Sequence, residues 1–157
     1  VCSMALTYAH SDGRIAFDRK DIVEAMTTIE SGTAVGVDYG PDETRAVAIH
    51  EAGHAVTSHL YMQDTLSTRL SVRMRGSSLG HHAAISKDER FKEWRHHQVG
   101  NLVWSLGAMA AEHVFYGENS TGVSGDVDHA TWRAAVMVGV VCGGLVVRRP
   151  GAAAAGG

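Results

Sequence analysis

Five residues, His50-Glu51-Ala52-Gly53-His54, constrain this chain more than any other stretch. They follow the pattern H-E-x-x-H inside a run that reads as helix. Successive helical residues turn by about 100°, so positions four apart return to within about 40° of each other. His50 and His54 can therefore aim two imidazole nitrogens at one metal ion. Glu51 is rotated by about 100° from His50 and is better placed beside a metal-bound water than as a ligand in line. This is the zinc-hydrolase pattern, with a chemical task for each letter. The alternative is a core helix with two incidental histidines.

The flanking sequence supports the helix. Pro41-Asp42-Glu43 is a strong start, with proline in the first turn and acids at the positive end of the dipole. The helix runs to about Tyr61, with Ala46, Ile49, Gly53, Val56 and Leu60 as its expected apolar stripe. Gly53 costs about 1 kcal/mol of helix propensity relative to alanine. Close packing of another backbone would be one reason to keep it.

Upstream, residues 1–10 read as the end of a helix, and Ser11-Asp12-Gly13 is turn chemistry. Asp18 is an N-cap for a helix Arg19–Glu30, with Ile22, Ala25, Met26 and Ile29 as its buried face. Residues 32–40 carry three glycines and no period, and read as a linker at a domain boundary.

Downstream, residues 68–75 alternate. Leu70, Val72 and Met74 face one way, and Arg69, Ser71, Arg73 and Arg75 the other, as in a half-buried strand. The basic face reads as a solvated edge, or as an open edge that accepts an extended peptide as an added strand. Residues 76–86 read as a loop, with His81 and His82 at the surface or at a substrate rim. Residues 88–116 read as a long helix, kinked or broken near Gly100 or Gly107, with His96 and His97 solvated. Its apolar face comprises Leu102, Val103, Leu106, Met109, Ala110 and Val114. Residues 117–125 form a loop, and a further helix runs from Asp126 to about Met137.

Composition limits the alternatives. The chain has 157 residues, 45% apolar and 20% charged, which suits one core with a fragment of a second unit. With 14 basic and 17 acidic residues the net charge is −3, which argues against binding nucleic acid by bulk charge. Cys2 and Cys142 make no disulfide framework and suit a reducing compartment. No signal peptide is legible. The stretch Val136–Val147 is apolar but shorter than the roughly 20 residues a bilayer span needs. It reads as part of a core helix or an irregular tail.

A catalytic zinc needs three protein ligands and one open position. The metzincin layout would put its third histidine at Leu60 and a glycine at Thr57, which excludes that class. A thermolysin-like layout needs a glutamate on a following helix, and between Glu51 and Glu89 there is none. The remaining acidic candidates are Glu89, Glu93, Glu112, Glu118, Asp126 and Asp128. Asp126 stands out, because it joins a small-residue loop (STGVSG, 120–125) to a new helix. Glu112 is the runner-up, set in A-M-A-A-E, where an unpaired carboxylate would be costly. It could orient a ligand histidine, or be an exposed helix charge. A purely structural zinc site would need a fourth ligand, and Glu112 would be the residue to test.

Together these stretches resemble the peptidase domain of the FtsH family, membrane-anchored ATP-dependent zinc proteases built on an AAA ATPase. The matching motifs are HEAGH (50–54), RMRGSSLG (73–80), LGAMAAE (106–112) and STGVSGDVDHAT (120–131). Residues 14–32 also resemble the end of the ATPase lid. Three departures mark a divergent branch. Ala108 and Met109 replace the family's Gly and Arg, Gly125 replaces an Asn, and GVDYGPDETR replaces a basic approach to the HEAGH helix.

The resemblance implies a mainly α fold: an FtsH-like zinc peptidase helical domain with a small β element, preceded by the end of an AAA lid. It implies residues 1–35 as lid, 36–139 as peptidase and 140–157 as a non-family tail. That tail is expected to be a truncated or frame-shifted end, with 148–157 disordered. It makes Asp126 the third zinc ligand with His50 and His54, and Glu51 the general base. Leu70, Val72 and Met74 become candidates for aligning substrate. It implies Zn2+ as cofactor, with ATP and Mg2+ used only by an ATPase domain absent from this chain. Partners would be protein substrates and, in a homohexamer, further copies, with no nucleic acid. The membrane would be reached only through an anchor not present here, on the cytoplasmic side of a bacterial membrane or its organelle equivalent. The alternative is a non-catalytic zinc-binding or oligomerisation remnant of such a protease.

Overall fold

The computed structural model of the chain describes residues 1–75, 79–89 and 91–141. The fold is mainly α, with one two-stranded antiparallel sheet. Helices α1 (Cys2–Ser11) and α2 (Arg19–Ser31) form a hairpin. Asp18 caps α2 through the Lys20 and Asp21 amides, and the Asp21 side chain accepts from the Asp18 amide in return. Arg14 grips Asp21 with both terminal nitrogens at 2.7 Å. That guanidinium holds the Asp21 carboxyl down at about 2. The expected apolar face of α2 is only partly right. Ala25 is buried, whereas Ile29 is 58% exposed. Thr27 and Thr28 instead face Arg69 of the sheet and Arg75 beyond it.

Helix α3 (Pro41–Tyr61) begins and ends where the sequence places it, with Pro41 in its first turn. Its rotation differs from the expected stripe. Val47, Glu51, Gly53, His54 and Ser58 are buried, while Val56 and Leu60 are 56% and 57% exposed. The approach of α5 (Gly107–Tyr116) accounts for this rotation. A Cβ on Gly53 would lie 2.8 Å from both Ala108 Cα and Ala111 Cβ, and one on Gly107 would lie 2.6 Å from the Gly53 carbonyl. Two glycines let the backbones touch, so the small face turns inward whatever the hydropathy of its neighbours.

The strand reading needs correction. Strand β1 is Thr65–Ser71 and pairs with β2, His81–Ser86, a segment expected to be loop. Thr65 opposes Ser86 and Leu70 opposes His82, with a bulge between Ser67 and Arg69. Val72 and Met74 therefore lie beyond the strand, and Leu70 is 49% exposed. The backbone at 74–75 is not an open edge. The Met74 carbonyl accepts from the Val35 amide at 2.9 Å, and Arg75 bridges to Ala34, so part of the expected linker docks there. Nor is the basic face solvated throughout. Arg69 reaches Glu30 at 3.0 Å, and Arg75 is 2% exposed.

The long helix expected at 88–116 is shorter and in two pieces. α4 (Arg95–Ser105) and α5 part at Leu106, next to Gly107. His97 is not simply solvated. Its Nδ1 accepts from the Trp94 amide at 3.0 Å and its Nε2 donates to Asp64 at 2.9 Å, which ties down the start of α4. Gly117, left-handed at φ 78°, ends α5. A single 3-10 turn (Thr121–Val123) then leads into α6 (Ser124–Val136), which passes into a π-helical turn at Met137–Val141. No helix among the described residues is long and apolar enough to cross a membrane. The expectations for Cys142 and the tail from 142 onward fall outside the described residues.

Candidate metal centre

Side chains from α3 and from the start of α6 bring His50, His54 and Asp126 together. One ligand atom from each lies within 4.8 Å of the others. The hydrogen bonds behind the rings fix which nitrogen faces inward. A carbonyl can only accept, so the 2.9 Å contact between His54 Nδ1 and the Trp104 carbonyl puts a proton on Nδ1. His50 Nδ1 likewise donates to Glu112 Oε1 at 2.8 Å. Both Nε2 atoms therefore point at Asp126. Each lies 3.3 Å from a different carboxylate oxygen.

That spacing tests the fit to zinc. Two ligands about 2.0–2.1 Å from a tetrahedral zinc are separated by roughly 3.3–3.4 Å. A direct N–H···O bond prefers about 2.9 Å. The donor set of two imidazoles and one carboxylate also suits zinc. The three residues thus fit a cation between them.

Electrostatics in the metal-free chain agree. Burial pulls the His50 imidazolium down, but hydrogen bonds to Asp126 and Glu112 outweigh it and push its pKa up to about 9. Burial works against Asp126, yet bonds from both histidines hold its carboxyl well below the usual range. Burial likewise opposes ionisation of Glu112, but His50 and the Ser120 amide keep it low. Glu112 Oε2 accepts from that amide at 2.7 Å and Oε1 from the Ser120 hydroxyl at 3.1 Å. Glu112 thus stands behind His50, on the side away from Nε2, and does not face the cluster as a fourth ligand.

Glu51, one residue along α3, is buried beside this cluster and lines the same cleft. Burial raises its carboxyl, and the two histidines only partly offset that. The cleft has a volume of about 630 Å³, with Val47, Gly80, His82 and Gly125 among its walls. A second cleft of about 1050 Å³, between the sheet and α4, meets it at His81, His82 and Trp104.

Two contributors escaped the sequence reading, and a third, His82, was expected only at the surface or at a substrate rim. Trp104 supplies a backbone carbonyl and lays its ring 5.2 Å from that of His54. A carbonyl leaves no trace in residue type, so no signal existed. Ser120 sat within a motif, but its bond to Glu112 depends on how the turn closes. His82 is buried, not at the surface. The Trp104 indole donates to its Nδ1 at 3.2 Å, so its other nitrogen donates to Ser67 Oγ at 3.0 Å. Of the strand candidates, Leu70, Val72 and Met74 do not line either cleft.

A second trio, Asp64, His96 and His97, also has ligand atoms within 4.8 Å. There the His97 Nδ1 lone pair is taken by the Trp94 amide, so Nε2 carries the proton. The ring serves as a cap and not as a ligand.

Comparison with known proteins bears on the same residues. The sequence model of peptidase family M41 matches residues 37–141. The chain is 34% identical over 136 residues to an ATP-dependent zinc metalloprotease FtsH 4 of Sphaerobacter thermophilus, covering 87% of this chain and 20% of that protein. It is 32% identical over 136 residues to an ATP-dependent zinc metalloprotease FtsH of Thermotoga maritima, covering 85% and 22%. A third, from Sulfurovum sp., is 42% identical over 91 residues. The chain thus spans about a fifth of the length of the first two of these relatives.

Proposed function

The chain belongs to peptidase family M41, the FtsH-type zinc proteases, and from that premise we propose that it is the hydrolytic part of an ATP-dependent zinc metalloendopeptidase. Its substrates would be peptide bonds in unfolded or membrane protein chains. The observation that carries this reading is the convergence of His50, His54 and Asp126 beside the buried Glu51.

Each residue has a task. His50 Nε2, His54 Nε2 and an Asp126 oxygen would hold zinc. Zinc held there would supply Lewis acidity, acidifying water toward a pKa of about 7 and polarising the scissile carbonyl. Glu51 takes the proton from the attacking water and hands it to the leaving amine. Its raised pKa suits both steps, because a carboxylate that holds a proton briefly must be a better base than an exposed one. Glu112 and the Trp104 carbonyl keep the two rings in the tautomer that presents Nε2.

The setting follows from the same resemblance. Residues 1–35 would be the end of an ATPase lid and 36–139 the peptidase. ATP and Mg2+ would act on the ATPase part of a longer protein. That protein would work as a homohexamer anchored on the cytoplasmic face of a bacterial membrane or its organelle equivalent. The relatives' names support the ATP dependence, and the fraction of their length matched here supports a longer protein.

Zinc content and casein cleavage test the reading. Glu51→Gln should keep one zinc per chain and lose activity by about 10²-fold or more. If the unmodified chain and Glu51→Gln both bind one zinc and are equally inactive, the chain is a metal-binding remnant and the enzyme reading fails.

A further inference from the structure

The two zinc-facing rings are not supported alike. His50 has the Glu112 carboxylate behind it, whereas His54 has the neutral Trp104 carbonyl. A charged acceptor is the stronger partner. What His54 has in addition is the Trp104 indole. The two ring centroids lie 5.2 Å apart, with the planes tilted by 43°. That indole limits the swing of His54 only as far as it is itself held.

It is held at its nitrogen. The indole N–H donates to His82 Nδ1 at 3.2 Å, and His82 Nε2 donates in turn to Ser67 Oγ at 3.0 Å. His82 lies on β2 and is 9% exposed, and Ser67 lies on β1 at the edge of the bulge. An imidazole buried to that degree costs stability unless both nitrogens are satisfied, and here each has a partner. An indole N–H can only donate, so the contact requires an open lone pair on His82 Nδ1. Burial, with His54 and His81 nearby, lowers the His82 pKa and favours that neutral form.

The backbone of α4 has other anchors. A Cβ on Gly100 would lie 2.7 Å from the Tyr61 carbonyl, and His97 ties the first turn to Asp64. The Trp104 carbonyl therefore does not depend on His82 for its place. The rotation of the indole does. It is set by packing and by the hydrogen bond to His82, and only the hydrogen bond has direction.

We propose that His82 is a positioning residue for the metal centre: through the Trp104 indole it steadies the His54 ring, so that Nε2 stays aimed at the cation. This role rests on His54 being a zinc ligand, as argued above. It carries the support of the site back to the sheet, through Ser67. His82 itself acts only through Trp104.

Zinc affinity of the full chain, read by competition with a chelating dye, tests this. His82→Leu fills the space but offers the indole no acceptor. It should weaken zinc binding about 3–10-fold, less than the loss of a ligand's direct partner, which costs about 10–100-fold. His82→Asn puts an amide oxygen near the place of Nδ1 and should recover most of that loss. Trp104→Phe keeps a ring against His54 but removes the N–H, so it should weaken zinc binding by a similar factor. Because the pair acts as one unit, the double variant should lose no more than the larger single loss. NMR of the metal-free chain gives a second measure that needs neither zinc nor activity. The His54 Nδ1 proton should exchange with water faster in His82→Leu, while the His50 Nδ1 proton, held by Glu112, keeps its rate. Zinc affinity within about twofold of the unmodified chain in a folded His82→Leu overturns the role of His82. So does a His82→Asn no better than His82→Leu, a double variant whose losses multiply, or equal quickening at His50 and His54. An unmodified chain that binds no zinc would sink the metal-centre reading, whereas the proton exchange judges the hold of His82 on His54 by itself.

Discussion

A carboxylate and two imidazole lone pairs cannot face one another at 3.3 Å without a proton or a cation between them. In the metal-free chain the proton takes that place. His50 should titrate at about 9, and removing the charge in Asp126→Asn should lower that value by at least about one unit. Histidine NMR titration of the metal-free chain measures both. The consequence for stability has a definite sign. The folded pKa of His50 lies above its ordinary 6.5, so its contribution is full below pH 6.5 and is lost as pH rises through about 9. The Asp126 carboxyl is depressed, so its contribution is present above its ordinary 3.8 and is lost as pH falls below that. This pair therefore helps the metal-free chain most between those two values. Glu112 acts at the same scale. Glu112→Gln keeps the shape but removes the charge behind His50, and zinc affinity should fall by about 10–100-fold. Competition with a chelating dye reads that directly. An unchanged affinity would mean that the Ser120 contacts, not the charge, are what Glu112 is there for.

At the scale of elements, the crossing of α3 and α5 decides the rotation that aims the histidines. Gly53→Ala improves helix propensity by about 1 kcal/mol, yet its methyl has nowhere to go. The net effect should be a destabilisation of about 1–3 kcal/mol, measured by denaturant unfolding, with activity falling alongside as the helices part. Helix α3 also shows how far sequence carries. Its ends were legible because Pro41, Asp42 and Glu43 act locally, through a fixed φ and a dipole. The motif was legible because two histidines four apart share a face whatever surrounds them. Its buried side was not. Val56 and Leu60 look like core, but the rotation is set by a glycine contact with a partner far along the chain. Strand β2 was hidden for a related reason. His81 to Ser86 has no clean alternation, and it is a strand only because β1 pairs with it. Arg75 read as a solvated charge because its burial depends on α2 lying across it. Asp126 was favoured because of a local junction between a small-residue loop and a helix, and Glu112 was noticed because of its apolar setting. Trp104 acts through a carbonyl, which every residue has.

For the whole molecule, the metal centre joins four helices. Its two rings come from α3 and its carboxylate from α6. Its supports come from α5 through Glu112 and from α4 through the Trp104 carbonyl. Among the described residues the buried apolar ones are alanines together with Val47 and Val123, while Glu51, His54 and Glu112 are buried too. A core that poor in large side chains leaves polar groups at the centre, and these pack well only when their charges are balanced. Zinc should therefore act as a structural staple as well as a reagent. A ligand bound only by the folded state at about 100 times its dissociation constant adds about 2.7 kcal/mol. In a chain of this size that is a rise in Tm of roughly 5–10 °C. Calorimetry with and without a chelator should find that difference, and Asp126→Asn should abolish it. Zinc must also displace the proton on His50, so the difference should widen as pH is raised from 7 toward 9 at fixed zinc. A chelator that removes the metal without moving Tm would show that the helices hold the three ligands in place unaided. A shift that does not grow with pH would show that His50 is already neutral before the metal arrives.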